Sequence, residues 1–335
     1  MFKNLRKAQD NPKDEFYTRL VDIEKELKNY KDKFKNKVIY CNCDNPEYSN
    51  FWKYFYNNFK VFQLKKLVVT FFSKDGVSYK TEFDGFNKKK TSLLENGDFR
   101  SEECQSVLAE ANIVITNPPF SLFRDFISIL TKNNKDFIII GNTNALTYSE
   151  VFSLFMQNKI RTGYTNFNTG MYFVVPKGYK YSKTIDGQKC ARVSSSCWYT
   201  SLPVNKTNKE LLLTKKYNPK DYPTYHNYNA ININNFHNIP YNYDGIMGVP
   251  ITFLDKYNPE QFELLGLSSK QHSQNIPRFH DNSFYNGYTR GKVVTRIESN
   301  LPLLDVPNYG GTKCTKENCP DLYQLYWRIF IKKIK

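Results

Sequence analysis

Asn117, Pro118, Pro119 and Phe120 stand together directly after the apolar run "ANIVIT". Neither proline has a backbone N–H to donate, so the pair stops both helix and sheet ladder and stiffens the turn. An amide oxygen, rigid carbonyls and an aromatic face at the end of a buried strand suit one kind of chemistry. The nitrogen of an exocyclic amino group is conjugated with its ring and is a poor nucleophile. Two acceptors aimed at its hydrogens, the Asn117 side-chain oxygen and the Pro118 carbonyl, would draw it towards a tetrahedral shape, and Phe120 could stack on the ring. Asn117 accepts without adding charge. The bland reading, a proline turn that ends a strand with Phe120 in the core, stays open on four residues alone.

Two further stretches fall just after expected strands: "CNCDNPEYSNF" from Cys41 and "GDF" from Gly97. In open parallel sheets ligands gather outside the carboxyl ends of strands, so the elements must be such a sheet. Leu20, Ile23, Leu27 and Tyr30 recur at helical spacing and predict a helix over about 17–33. "KVIYCNC" and "KKLVVTFF" read as buried strands, with the aromatic helix "SNFWKYFYNNF" between them. A polar excursion carrying the lysines of 88–90 follows, then "ANIVIT", a helix over about 121–131 and the strand "DFIIIG". Strands alternating with helices imply βαβ units and a parallel sheet. "GMYFVVP" and "SSCWYTSL" read as later strands, antiparallel or at an edge. The Tyr-, Asn- and Pro-rich 215–245 reads as ordered loop packed on the sheet domain. Short strands and turns fill the rest, to the closing "YWRIFIKKIK".

The chain of 335 residues is 40% apolar and 16% aromatic, enough for a core, and its formal charge is +16. That excess favours a polyanionic partner, nucleic acid first; a basic protein from an AT-rich genome is the plain alternative. No stretch reaches the roughly 18 apolar residues of a membrane span, and the N-terminus lacks an apolar signal core, so no membrane association and a cytoplasmic location are expected. The seven cysteines form no disulfide or zinc framework, and Cys41–Cys43 and Cys314–Cys319 lack further ligands nearby. The four histidines form no triad. No metal is expected.

The segments "KDEFYT" (13–18), "VIYCNCDNPEYSNFW" (38–52), "NGDF" (96–99), "ITNPPFSLFRDF" (115–126), "FIIIGNTNAL" (137–146) and "DGIMGVPITFLDKYNPEQFELLGL" (244–267) together resemble the EcoRI-type adenine-specific DNA methyltransferases. The resemblance implies a Rossmann-like α/β methyltransferase fold with a mixed, mainly parallel sheet and a C-terminal DNA-recognition region. It implies S-adenosylmethionine as cofactor and a methyl group moved to the 6-amino nitrogen of a flipped-out adenine in double-stranded DNA. Asp14, Phe16, Tyr17 and Thr18 would lie near the methionine end, with Thr18 a donor to its carboxylate. Cys41, Asn42, Cys43, Asp44 and Pro46 would take the place of the glycine-rich cofactor loop. Asp98 would accept from the cofactor adenine's amino group and Phe99 would flank that ring; a simple turn at Asp98 is the competing reading. Asn117 would border both the cofactor and the target base, with Pro118, Pro119 and Phe120. The usual glycines are replaced by Ser49 and Asn50, and Asp75 is the one acidic residue near the end of the second strand.

The expected division is 1–250 for cofactor binding and catalysis and 251–335 for target recognition. The enzyme would be the modification member of a restriction-modification system, its endonuclease acting separately, or an orphan methylase. A protein glutamine methyltransferase could use the same tetrapeptide, and an inactive DNA-binding relative of the fold is the other alternative. Residues 177–220 carry ten Lys/Arg against two acidic residues, and 270–335 eleven against five. Lys215, Lys216, Arg278, Arg290 and Lys292 are the expected DNA contacts, with sequence reading mainly in 268–312. Phosphate contacts position a protein, whereas contacts to base edges specify. Neutralising several lysines within 206–220 should therefore weaken DNA binding uniformly across sequences and flatten its salt dependence. Substituting Arg278 or Arg290 should instead relax the choice of site. Mapping methylated adenines for each variant checks both; unchanged site choice in the arginine variants would place recognition elsewhere.

Overall fold

A computed structural model describes residues 17–73, 77–176, 178–225, 229–267, 294–296, 322–324 and 328–334. Backbone contacts divide the chain into two compact units, Met1–Val204 and Asn205–Lys335. The functional division expected at 250/251 therefore runs inside the second unit.

The first unit is built on strands whose residues are buried on both faces, the signature of parallel strands covered by helices. These are β2 (Val38–Cys41), β3 (Lys66–Phe71), β6 (Ile113–Thr116) and β7 (Asp136–Asn142), following the short β1 (Tyr17–Thr18). They pair in the parallel order β3-β2-β6-β7. Antiparallel strands β4 (Tyr79–Phe83) and β5 (Lys88–Ser92) extend one side, and β12 (Ser196–Thr200) and β8 (Arg161–Thr162) the other, giving eight strands in a mixed sheet. "SSCWYTSL" is thus antiparallel, and interior to the sheet rather than at its edge.

Helix α1 (Leu20–Leu27) is followed by a 3-10 turn to Lys33. The expected helix over 17–33 loses its first residues because Tyr17 and Thr18 pair with Val174 and Phe173 instead. Helix α2 (Asn50–Asn57) is capped by the Ser49 hydroxyl, which accepts from the Trp52 N–H, and buries Phe51, Trp52, Tyr54 and Phe55. Helix α3 (Glu102–Glu110) starts at a Ser101 cap with two acidic residues in its first turn. Helix α4 (Phe123–Lys132) buries Phe123, Phe126, Ile127 and Leu130, the i, i+3, i+4, i+7 stripe of a helix lying on a sheet. It lies so close that a Cβ at Gly141 of β7 would stand 2.3 Å from the Phe123 ring, which explains that glycine. Helix α5 (Ser149–Met156) follows β7.

The lysines of 88–90, expected in a polar excursion, form edge strand β5, with Lys89 opposite Glu82. All five of its residues are exposed. A lysine-rich edge strand has no apolar period to reveal it and discourages pairing with other chains.

"GMYFVVP" supplies β9 (Met171–Val174) to a second, antiparallel sheet, β1-β9-β11-β10, with β10 at Lys183–Ile185 and β11 at Gln188–Val193. Glu26 of α1 is fully buried. Its carboxylate accepts from the Tyr30 hydroxyl at 2.9 Å, the Tyr164 and Thr165 N–H groups at 2.7 Å each, and the Thr165 hydroxyl at 2.6 Å. Burial pushes its pKa up, and these bonds act against that shift.

The second unit holds the sheet β13-β14-β18-β15, with β13 at Ile231–Asn232, β14 at Met247–Pro250, β15 at Phe262–Leu267 and β18 at Arg328–Lys333. Strands β16 (Val294–Arg296) and β17 (Leu322–Gln324) form a separate pair. The closing basic segment is thus an interior strand, with Ile329, Phe330 and Ile331 fully buried. Arg328 is buried too and donates to Asn232 Oδ1 at 3.1 Å, so it is no phosphate anchor. Residues of 215–245 pair within this unit, through β13 and the Lys215–Pro240 bridge. Among the described residues no helix is long and apolar enough to cross a membrane.

Removing the Glu26 carboxylate strands several buried donors at once. Glu26→Ala should cost about 3 kcal/mol, from roughly 1–3 kcal/mol per buried group left unsatisfied. A urea unfolding midpoint close to wild type would show that the carboxylate does not hold this loop.

Candidate functional site

The large sheet changes direction at its centre. From β2 the chain crosses through α2 to β3 on one side, then returns to β6 on the other side of β2 and moves outward to β7. The carboxyl ends of β2 and β6 therefore flank the point where the strand order reverses, the place where ligands gather in open parallel sheets. Asn42–Pro46 leave β2 there, and Asn117–Phe120 leave β6 there. The two segments are joined directly: the buried Thr116 hydroxyl donates to the Asn42 carbonyl.

The loop after β2 is held by side chains where glycines would leave it free. Cys43 takes a left-handed conformation, φ 58°, which costs a non-glycine residue roughly 1–2 kcal/mol. The Asp44 N–H donates to the Thr70 carbonyl at 3.3 Å, tying the loop to β3. Asn45 Oδ1 accepts from the Glu47 N–H at 2.9 Å and the Tyr79 hydroxyl at 3.1 Å. Ser49 caps α2 and also donates from its hydroxyl to Asp44 Oδ2 at 2.7 Å. Lys90 of β5 lies 3.6 Å over the Tyr79 ring and 3.8 Å from Glu47, so the edge strand braces the same loop. Cys41 is the last, buried residue of β2, and burial raises the Cys43 thiol pKa well above its usual value.

Two other segments reach this end of the sheet. Asn50 Nδ2 donates to the Thr18 carbonyl at 2.7 Å, and the Tyr17 and Tyr48 rings stand 6.4 Å apart, so β1 lies beside the loop. At Gly97, φ +74°, a Cβ would sit 2.3 Å from the Phe71 carbonyl oxygen; only glycine lets the "NGDF" turn close on the end of β3. That turn brings Asp98 within electrostatic reach of Cys43. Asp98 accepts from the Arg100 backbone and forms an ion pair with its side chain at 2.8 Å. Phe99 is buried against Phe126, ring centroids 5.0 Å apart. Phe120 is half-buried against the core beneath, and Pro118 is buried. Trp198 is fully buried, edge-on to Phe51, and belongs to the core.

A bound group that carries its own donors and acceptors fits this arrangement. Thr18 Oγ1 and Asn42 Oδ1 are buried side-chain oxygens with no hydrogen-bond partner among the described residues. Buried polar atoms are nearly always satisfied, and an amino-acid carboxylate and ammonium would serve a hydroxyl donor and an amide acceptor. The structure thus brings together Tyr17, Thr18, Cys41, Asn42, Cys43, Asp44, Pro46, Asp98, Phe99 and Asn117–Phe120 at one end of the sheet. Asp14, Phe16, Asp75, Arg278, Arg290, Lys292, Cys314 and Cys319 lie outside the described residues, as does most of 268–312. Lys215 and Lys216 are exposed in the second unit. Sequence reasoning passed over Thr116, Arg100 and the bracing role of Ser49. The capping pattern before α2 was a usable signal for Ser49; the other two depend on partners supplied by the fold.

The pattern of the family described as "Adenine-specific methyltransferase EcoRI" matches residues 4–333. The chain is 45% identical over 289 residues to the type II methyltransferase M.EcoRI of Escherichia coli, covering 78% of this chain and 88% of that protein. It is 41% identical over 273 residues to M.MgeORF184P of Mycoplasma genitalium, covering 79% and 85%. It is 39% identical over 274 residues to M.MpnI of Mycoplasma pneumoniae, covering 79% and 84%. No solved structure matches the chain.

Burial in the crevice pushes the Asp44 carboxyl up to about 7, against the opposing effect of the Ser49 hydroxyl. A folded pKa above the unfolded value, about 3.9, means that the folded state holds this proton more tightly. The associated stability is complete below about pH 4 and is lost as pH rises through about 7. Asp44→Asn, neutral throughout, should therefore gain thermal stability over wild type across that interval, with the difference levelling above about pH 8. Melting temperatures of the cofactor-free proteins test this; a pH-independent difference would contradict it.

Proposed function

The chain belongs to the EcoRI family of adenine-specific methyltransferases, and on that premise we propose that it moves a methyl group from S-adenosylmethionine to the 6-amino nitrogen of a flipped-out adenine in double-stranded DNA. The observation that carries the site assignment is the junction of β2 and β6. There Thr116 joins the segment opening with Asn117 to the loop opening with Asn42, so one crevice serves donor and acceptor.

Thr18 and Asn42 would hold the amino-acid end of the cofactor through their buried oxygens. Asp98 would take a hydrogen from the cofactor adenine's amino group. S-adenosylmethionine, when bound, supplies an activated sulfonium methyl group, so the chain needs no covalent nucleophile. Asn117 Oδ1 and the Pro118 carbonyl accept the two hydrogens of the target amino group and turn its lone pair outward. Phe120 stacks on the extruded base and offsets part of the few kcal/mol that flipping costs. The surplus amine proton leaves to water after transfer. Catalysis is then positioning and polarisation.

The core reads as Rossmann-like, with β2 and β6 at its reversal point. Cofactor binding and catalysis are assigned to 1–250 and target recognition to 251–335, with Lys215, Lys216, Arg278, Arg290 and Lys292 on DNA. The enzyme would protect DNA from a separate cognate endonuclease, or act as an orphan methylase.

Asn117→Ala should keep cofactor affinity and lose about 10²–10³ in methyl-transfer rate, the usual cost of one positioned polar contact. Single-turnover transfer to DNA, alongside titration with S-adenosylhomocysteine, separates the two effects. A near-wild-type rate would overturn the catalytic assignment.

A further inference from the structure

The turn that presents Asp98 carries its own clamp. Arg100 Nε donates to Asp98 Oδ1 at 3.0 Å, and a terminal guanidinium nitrogen donates to Oδ2 at 2.8 Å, a two-pronged pairing. The Arg100 backbone N–H donates to the same Oδ1 at 2.9 Å. The other terminal nitrogen reaches Asp125 Oδ2 at 3.4 Å, in the first turn of α4, directly behind the Asn117–Phe120 segment. The guanidinium carbon lies 5.3 Å from the Phe99 ring centroid. This is no solvent-splayed surface pair, since the Asp98 side chain is 10% exposed and that of Arg100 27%.

A carboxylate offers about four lone-pair sites. The three donors from Arg100 place two hydrogen bonds on Oδ1 and one on Oδ2, leaving acceptor capacity on Oδ2. A planar fork also fixes the rotation of the carboxylate, which a single donor or a lysine would not do. We infer that Arg100 is a positioning residue for cofactor recognition: it holds the Asp98 carboxylate so that Oδ2 faces a 6-amino group, and links that acceptor to α4 through Asp125. The inference rests on the reading of Asp98 as the acceptor for the cofactor adenine.

Without that role the pair only stabilises its turn, and the two cases differ in one readout. An oriented carboxylate accepts from a 6-amino group and repels a 6-oxo group. A merely loosened turn weakens both ligands alike. Full-length wild type, Arg100→Met, Arg100→Lys and Asp98→Ala are titrated calorimetrically with S-adenosylhomocysteine and with S-inosylhomocysteine, which carries oxygen in place of the amino group. Asp98→Ala should weaken S-adenosylhomocysteine about tenfold to a hundredfold and abolish the preference between the ligands. Arg100→Met should weaken it about tenfold and shrink the preference, since the charge-assisted fork is lost. Arg100→Lys should recover part of the affinity and less of the preference. If Arg100→Met keeps the wild-type preference while Asp98→Ala abolishes it, the clamp is structural and the inference falls. Should Arg100→Met fail to fold, a wild-type preference in Arg100→Lys overturns it equally. If Asp98→Ala itself leaves the preference unchanged, the adenine reading of Asp98 fails first and the inference falls with it.

Discussion

The hydrogen bond from the Thr116 hydroxyl to the Asn42 carbonyl spans the point where the strand order reverses. Both residues are buried, and the bond joins the segments that leave the two strands at that point. Strand β6 cannot slide against β2 without breaking it. The prolines after Thr116 then have a fixed origin, so the direction of Asn117 is set by sheet register rather than by a loose loop. The Thr18 strand is tied to the same end of the sheet through Asn50, and Gly97 lets the Asp98 turn close on the end of β3.

The composition of the chain shapes how this is achieved. Where a glycine-rich loop would curve around a cofactor freely, this one is braced by Asn45, Ser49 and Tyr79 and accepts a left-handed Cys43. Local strain of this kind persists when the surroundings over-determine it, and it concentrates at ligand sites. Lysines serve structure as well as solubility, with Lys90 over Tyr79 and Lys88 over Trp52 holding the edge hairpin against aromatic rings. Net charge alone therefore overstates how much of the surface is available to a polyanion.

The parallel strands were legible because they are local patterns, and so was the proline turn of Asn117–Phe120 that ends one of them. Continuous apolar runs ending in Cys41, Thr116 and Asn142 needed no partner to be recognised. What stayed hidden was set by distant pairing. Tyr17 and Thr18 look like the start of a helix until β9 claims them, and Lys88–Ser92 have no apolar alternation because their faces are exposed. The last basic strand looks like a tail, yet Ile329–Ile331 fill the middle of a sheet. The fully buried Glu26 reads as one more acidic residue on a helix surface, since its partners at Tyr164 and Thr165 lie far along the chain. In the candidate site, residue types drew attention to Asn117–Phe120 and Asp98, while the partners that Thr116, Asn50 and Arg100 make emerged only from the fold.

On the proposed function, a single crevice between β2 and β6 would hold both the methyl donor and the adenine. A diffraction structure of the protein with the inert cofactor analogue sinefungin bound tests it most directly. The expected complex has the amino-acid end of sinefungin hydrogen-bonded to Thr18 Oγ1 and Asn42 Oδ1, its adenine against Asp98, and its transferable-group position open towards Asn117. Sinefungin bound away from the β2–β6 junction, or bound there with Thr18 and Asn42 still unpartnered and Asn117 turned from it, would contradict the account.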